Sequence, residues 1–155
     1  MAAASFAGFL PAIGISISFW PTDAFFGFLA GFFGVAASRL ALPTIEVCAI
    51  SGPRPSDRRG RYSYWPDERA ERREIETMFA RDLHFLGCWH THPEDMASPS
   101  HVDTQNISDC VRRSEHALNG FLMVIVGRAP LPENLFVSVC DLTTVHRLEQ
   151  SGSTT

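Results

Sequence analysis

The sequence predicts one α/β domain, a curved mixed sheet flanked by helices. Strand-length apolar runs at 83–89, 121–126 and 135–140 alternate with two polar, helix-patterned stretches at 67–82 and 102–118. The chain has 155 residues, enough to bury a core without disulfide support. Its four cysteines, Cys48, Cys88, Cys110 and Cys140, are widely spaced and form no CxxC pair. That pattern suits reduced thiols and a cytoplasmic location.

Taken in order, the first 43 residues are atypical. Before Ile45 the only ionisable side chains are Asp23 and Arg39. No basic region precedes the apolar run from Ser5 to Ala37, and Pro11, Pro21 and Asp23 interrupt it, so it is read as a divergent first strand with its lead-in rather than a membrane span. Its abrupt loss of charge also fits a frame artefact upstream of residue 44. The domain proper is expected over 44–149, with a polar tail at 150–155. Thr44 to Ser51 reads as a strand, then a loop rich in Pro, Arg, Ser and Asp, then a short strand Arg61 to Tyr64. Pro66-Asp67 opens a helix to Asp82, with Ala70, Ile75, Met78 and Phe79 on one face and Glu71, Arg72, Arg73, Glu74 and Glu76 solvated. A buried strand from Leu83 to Trp89 runs into His90-Thr91-His92-Pro93. The second helix, Val102 to Leu118, ends at Asn119-Gly120. Phe121 to Val126 is a buried strand, Pro130 and Pro132 mark a turn, and Leu135 to Cys140 is a strand packed on one face.

His90 and His92 are two apart on a strand, so they point to the same face and can share one ion, while Trp89 points the other way into the core. Ser100 can cap the second helix, and the helical period brings Asp103, in its first turn, back under Ser100. Two imidazoles and a carboxylate leave a fourth position open for water, which is the catalytic rather than the structural zinc pattern. The spacing therefore suggests Zn2+ held by His90, His92 and Asp103, and hydrolysis as the chemistry.

The segment WHTHP followed by PSxxD resembles the motif of JAMM, or MPN-plus, metalloproteases, which cleave isopeptide or peptide bonds next to ubiquitin-like proteins. The stretch from Ser51 to Tyr64 is similar to the bacterial JAB branch of antiphage CBASS operons and integrative elements. The resemblance covers about residues 44–140. It implies the cytidine-deaminase-like JAB/MPN fold and a deconjugating protease whose substrate is a ubiquitin-like or nucleotidyltransferase protein conjugate. It also implies an E1/E2-like conjugation protein in the same operon. Under it, Ser100 donates a hydrogen bond to the developing oxyanion, and a glutamate opening an ExGGxLxG-like strand is the general base. Aligning Gly27, Leu29 and Gly31 on that pattern places Ala24 at the base position. Asp23, one residue away, and Glu46, on the next strand, are the substitutes, Asp23 slightly ahead.

Glu94 and Asp95 follow the motif as candidate substrate contacts, and Arg54, Arg58, Arg59 and Arg61 as candidates for a carboxylate of the conjugate. His84, His101, His116 and His146 have no ligand spacing. The net charge of −4 and the absence of lysine argue against a nucleic-acid partner, and without lysine the chain offers no side-chain conjugation site of its own. Alternative readings are a catalytically impaired zinc-binding MPN interaction module, which Ala24 supports, and a JAMM peptidase that processes a sulfur-carrier protein.

Overall fold

The computed structural model describes residues 2–7, 14–19, 33–34, 44–47, 49–60, 64–116 and 118–150, and of the first four segments, Val47 excepted, it describes the backbone only. The elements in chain order are β1 (Ala2–Ala7), β2 (Gly14–Phe19), β3 (Phe33–Gly34), β4 (Thr44–Val47), β5 (Arg58–Arg59), β6 (Tyr64–Trp65), α1 (Glu68–Phe79), β7 (Gly87–Thr91), α2 (His101–Arg113), β8 (Phe121–Val126), β9 (Leu135–Cys140), β10 (Val145–Arg147) and β11 (Glu149–Gln150). A five-stranded sheet runs β10-β9-β8-β7-β3, a four-stranded sheet β11-β1-β2-β4, and β5-β6 form a hairpin. The five-stranded sheet is mixed, because β7 and β8 pair in parallel while the other neighbours are antiparallel. A parallel pair needs a crossover, and α2 supplies it.

That crossover positions the site. Ile107 and Val111 of α2 are buried on the sheet face formed by Phe121, Met123, Ile125, Phe136 and Cys140. Val47, Leu86, Leu122, Val124, Leu135, Val137 and Leu148 fill the opposite face, with Trp89 packed against them. In register, His90 lies opposite Ile125 and Trp89 opposite Val124, so His90 shares the α2 face and Trp89 the other, as the alternation predicts. The Trp89 indole also donates to the carbonyl of Ser51 at 3.0 Å.

Several elements differ from the sequence reading. The strand expected from Leu83 begins only at Gly87, where φ is +149° and an added Cβ would lie 1.9 Å from the Leu122 carbonyl oxygen. Leu86, just before it, is buried and accepts from the Leu122 amide at 2.7 Å. β9 is buried on both faces rather than one, since it lies inside the sheet with α2 on one side and the Val47–Leu148 cluster on the other. α2 stops at Ser114, because that residue turns extended and the His116 ring nitrogen bonds the Val111 carbonyl at 3.1 Å, supplying the partner the sequence did not reveal.

α1 is shorter than predicted and ends ahead of Asp82, which takes positive φ. It is capped by Asp67, whose carboxylate accepts from the amides of Arg69 and Ala70. None of its residues is fully buried, and Phe79, expected inward, is exposed and edge-stacked on His84. The predicted strand at Thr44–Ser51 ends at Val47. Of the predicted strand at Arg61–Tyr64 only Tyr64 is described, where it opens β6 and pairs with Arg59, and residues 61–63 lie outside the described residues. Gln150, assigned to the tail, pairs with Phe6, a main-chain bridge that needs no apolar side chain. Cys88, Cys110 and Cys140 are free thiols, and Cys48 lies outside the described residues. Among the described residues no helix is long and apolar enough to cross a membrane.

Gly87→Ala is expected to destabilise the protein by roughly 2–5 kcal/mol, combining positive-φ strain with the clash against β8. A urea unfolding curve checks this, and an unchanged midpoint would show that the β7-β8 approach is not tight.

Candidate metal centre

β7 carries His90 to the C-terminal end of the strand, and α2, packed on the same face, brings its N-terminus there. Ser100 is the N-cap of α2 and Asp103 its third helical residue. The Ser100 hydroxyl oxygen accepts from the Asp103 amide at 3.2 Å, and the Ser100 amide donates to Asp103 Oδ2 at 2.7 Å. This reciprocal capping box holds the carboxylate in one orientation. The first turn of α2 thus presents Asp103 to the end of β7.

The three side chains converge. His90 Nε2 lies 3.1 Å from His92 Nε2 and 3.2 Å from Asp103 Oδ1, and His92 Nε2 lies 3.3 Å from Asp103 Oδ2. Tetrahedral ligands about 2.0–2.1 Å from zinc are separated from one another by about 3.3 Å, and each of these contacts is near that length, the two imidazoles facing different oxygens of the Asp103 carboxylate. Among the described residues, His90, His92 and Asp103 form the one group of three side chains able to hold a metal ion.

The electrostatics are set by burial and pairing. His90 and Asp103 are buried, whereas His92 is 17% exposed and marks the open side. Burial alone raises the Asp103 pKa, but hydrogen bonds from His90 and from the Ser100 hydroxyl and amide outweigh it and hold the carboxyl well below the usual range. The donor set is therefore an anionic oxygen between two imidazoles, the charge and ligand type that a divalent cation requires.

The remaining candidates fall out differently. Glu94 Oε2 stands 3.5 Å from His92 Nδ1, on the outer side of the ring. Asp95, the other candidate substrate contact, pairs with Arg128 at 3.1 Å. His101 is exposed, and His146 pairs with Asp141 at 2.9 Å. Arg54, expected to meet a partner's carboxylate, is instead bound to Glu74 of α1. That contact draws Glu74 out of the expected solvated face. Arg54 also flanks Asp57, which accepts from the Arg54 and Asp67 amides and the Tyr64 hydroxyl. Burial pushes Asp57 up, and these donors bring its pKa below the ordinary carboxylate value. Of the other arginines, Arg58 lies over the Trp65 ring, 5.8 Å from its centroid, Arg59 is exposed, and Arg61 is outside the described residues.

Asp23 and Ala24 also lie outside the described residues. The backbone of Glu46 is described, on β4, the edge strand of the four-stranded sheet, opposite Ser16. A cleft of about 490 Å³ between α2 and residues 142–145 contains none of the triad, so it is not the chemical centre. The sequence reading missed Gly127 and Asn134, which support the loop after His92. A glycine directly after an apolar strand, in register with the motif's end, was the available signal.

The family model of prokaryotic homologs of the JAB domain matches residues 34–139, about two thirds of the chain. No curated protein matches the chain.

The purified protein is expected to hold one divalent ion per chain, and the His90→Ala/His92→Ala double variant to hold none. Elemental analysis after dialysis decides this. Equal metal content in both proteins would place the ion elsewhere.

Proposed function

This chain belongs to the family of prokaryotic JAB-domain homologs, and on that premise we propose that it is a zinc-dependent isopeptidase or peptidase that releases a conjugated protein from its target. The observation that carries the reading is the convergence of His90, His92 and Asp103, whose imidazole Nε2 atoms lie 3.1 Å from each other and 3.2 and 3.3 Å from the two oxygens of the carboxylate. These three side chains would hold a Zn2+ ion, which when bound would supply Lewis acidity and lower the pKa of water to about 7. His90 and Asp103 are buried and would close one side of a bound ion, while the more exposed His92 would border its open side.

Ser100 is exposed beside the centre, and its hydroxyl oxygen is used as an acceptor by the cap. The same hydroxyl also faces the Asp103 carboxylate, so in this reading its proton turns from that carboxylate to a developing oxyanion. A general base has to accept a proton from the attacking water, and the proposal assigns this to Asp23 ahead of Glu46. The substrate in this reading is a ubiquitin-like or nucleotidyltransferase protein conjugate, made by an E1/E2-like partner in an antiphage operon, as the similarity of Ser51–Tyr64 to that branch suggests. A second reading, a catalytically impaired zinc-binding MPN module, rests on Ala24 at the position of the family's glutamate.

Turnover of an isopeptide-linked reporter separates the two. With Ala24 at the base position the native rate should be low, and Ala24→Glu should raise it by about 10²- to 10⁴-fold, the usual worth of a positioned base. Robust native turnover that disappears in Asp23→Asn or in Glu46→Gln identifies the substitute base and corrects the register. No turnover in any metal-loaded variant overturns the protease reading in favour of the interaction module.

A further inference from the structure

A metal-ligating histidine coordinates through one ring nitrogen and carries its proton on the other, and the group accepting that proton fixes tautomer and ring angle. His92 turns Nε2 towards His90 and Asp103, which leaves Nδ1 as the nitrogen for such a partner. Glu94 Oε2 occupies that side, 3.5 Å from Nδ1, while its neighbour Asp95 is engaged with Arg128.

The main chain sets this placement. The His92 amide donates to the Val126 carbonyl at 2.9 Å, Arg128 to Glu94 at 2.9 Å and Ala129 to Asp95 at 3.0 Å, so the motif loop continues the β7-β8 pairing past the strand ends. Gly127 permits the approach, because an added Cβ would lie 2.4 Å from the Asp95 oxygen and 2.8 Å from that of Glu94. Buried Asn134 pins Gly127 from the other side. Its Nδ2 donates to the Gly127 carbonyl at 3.0 Å, and its own carbonyl accepts from the Gly127 amide at 2.8 Å. The carboxylate at position 94 is therefore delivered to the ring by a supported backbone rather than by a free loop.

We propose that Glu94 is a positioning residue for His92, accepting the Nδ1 proton so that Nε2 is the nitrogen offered to the ion. The inference rests on reading the triad as a metal centre. Because 3.5 Å is an ion-pair distance and the Glu94 side chain is 59% exposed, the effect belongs at the lower end of the 10- to 100-fold range typical of such partners, about tenfold.

The test measures zinc affinity by competition with a chromophoric chelator, and the His92 tautomer by ¹⁵N imidazole resonances of the zinc-loaded protein. It compares native protein with Glu94→Ala, Glu94→Gln and Asp95→Ala. Glu94→Ala should bind zinc about tenfold more weakly, with a shifted Nδ1 resonance, and Glu94→Gln, which keeps an acceptor oxygen, should recover part of the loss. Asp95→Ala should match the native protein. Native affinity and an unshifted resonance in Glu94→Ala overturn the proposal, as does an equal loss in Asp95→Ala, which would trace the effect to net charge. Native protein that binds no zinc defeats the reading of the centre itself, and this proposal with it.

Discussion

Asp103 is constrained from two directions, and the rest of the site depends on both. One constraint is the capping box with Ser100, which closes the first turn of α2 and fixes the carboxylate's plane. The other is the pair of imidazoles facing its two oxygens. A carboxylate on a long side chain or in a loop could serve one role without the other. At the third position of a capped helix it serves both, and the apolar contacts of Ile107 and Val111 with the sheet transmit that placement to the end of β7. The packing that stabilises the crossover therefore also holds the ligand geometry.

The two histidines are not equivalent. His90 is inside β7, paired with Ile125 and closed over by α2, so its orientation comes from the sheet. His92 lies one residue past the strand and depends on its amide bond to Val126 and on the loop that follows. The first candidate ligand is buried and the second is more exposed. The triad therefore has one side closed by protein and one side accessible from solvent.

Much of this was legible because it is local. Period-two alternation separated His90 from Trp89, helix capping anticipated the Ser100–Asp103 contact, and β8 was evident as an unbroken apolar run. Apart from the helix ends, the misses concern what another part of the chain does to a segment. Gly87 breaks the expected strand because β8 passes against it, and β9 is buried on both faces because of elements distant in sequence. Arg54 looks like a free cation until Glu74, twenty residues on, is brought to it, and Asp57 looks like a loop acid until three donors converge on it. No periodicity encodes such long-range contacts. The difference between Glu94 and Asp95 has the same origin, since Arg128 captures one of two adjacent acids.

Sheet topology bears on the source of the general base. β7 has two edges, one paired with β8 and the other with β3, where Phe33 lies opposite Trp89 and Gly34 opposite Cys88. Residues Phe33 and Gly34 of the N-terminal segment thus border β7 directly. β4, which carries Glu46, is hydrogen-bonded to β2 in the other sheet. Val47 beside it is buried in the cluster that includes Trp89, on the face away from His90. The strand bordering β7 on the side away from β8 therefore comes from the N-terminal part of the chain, while Glu46 belongs by its backbone to the other sheet.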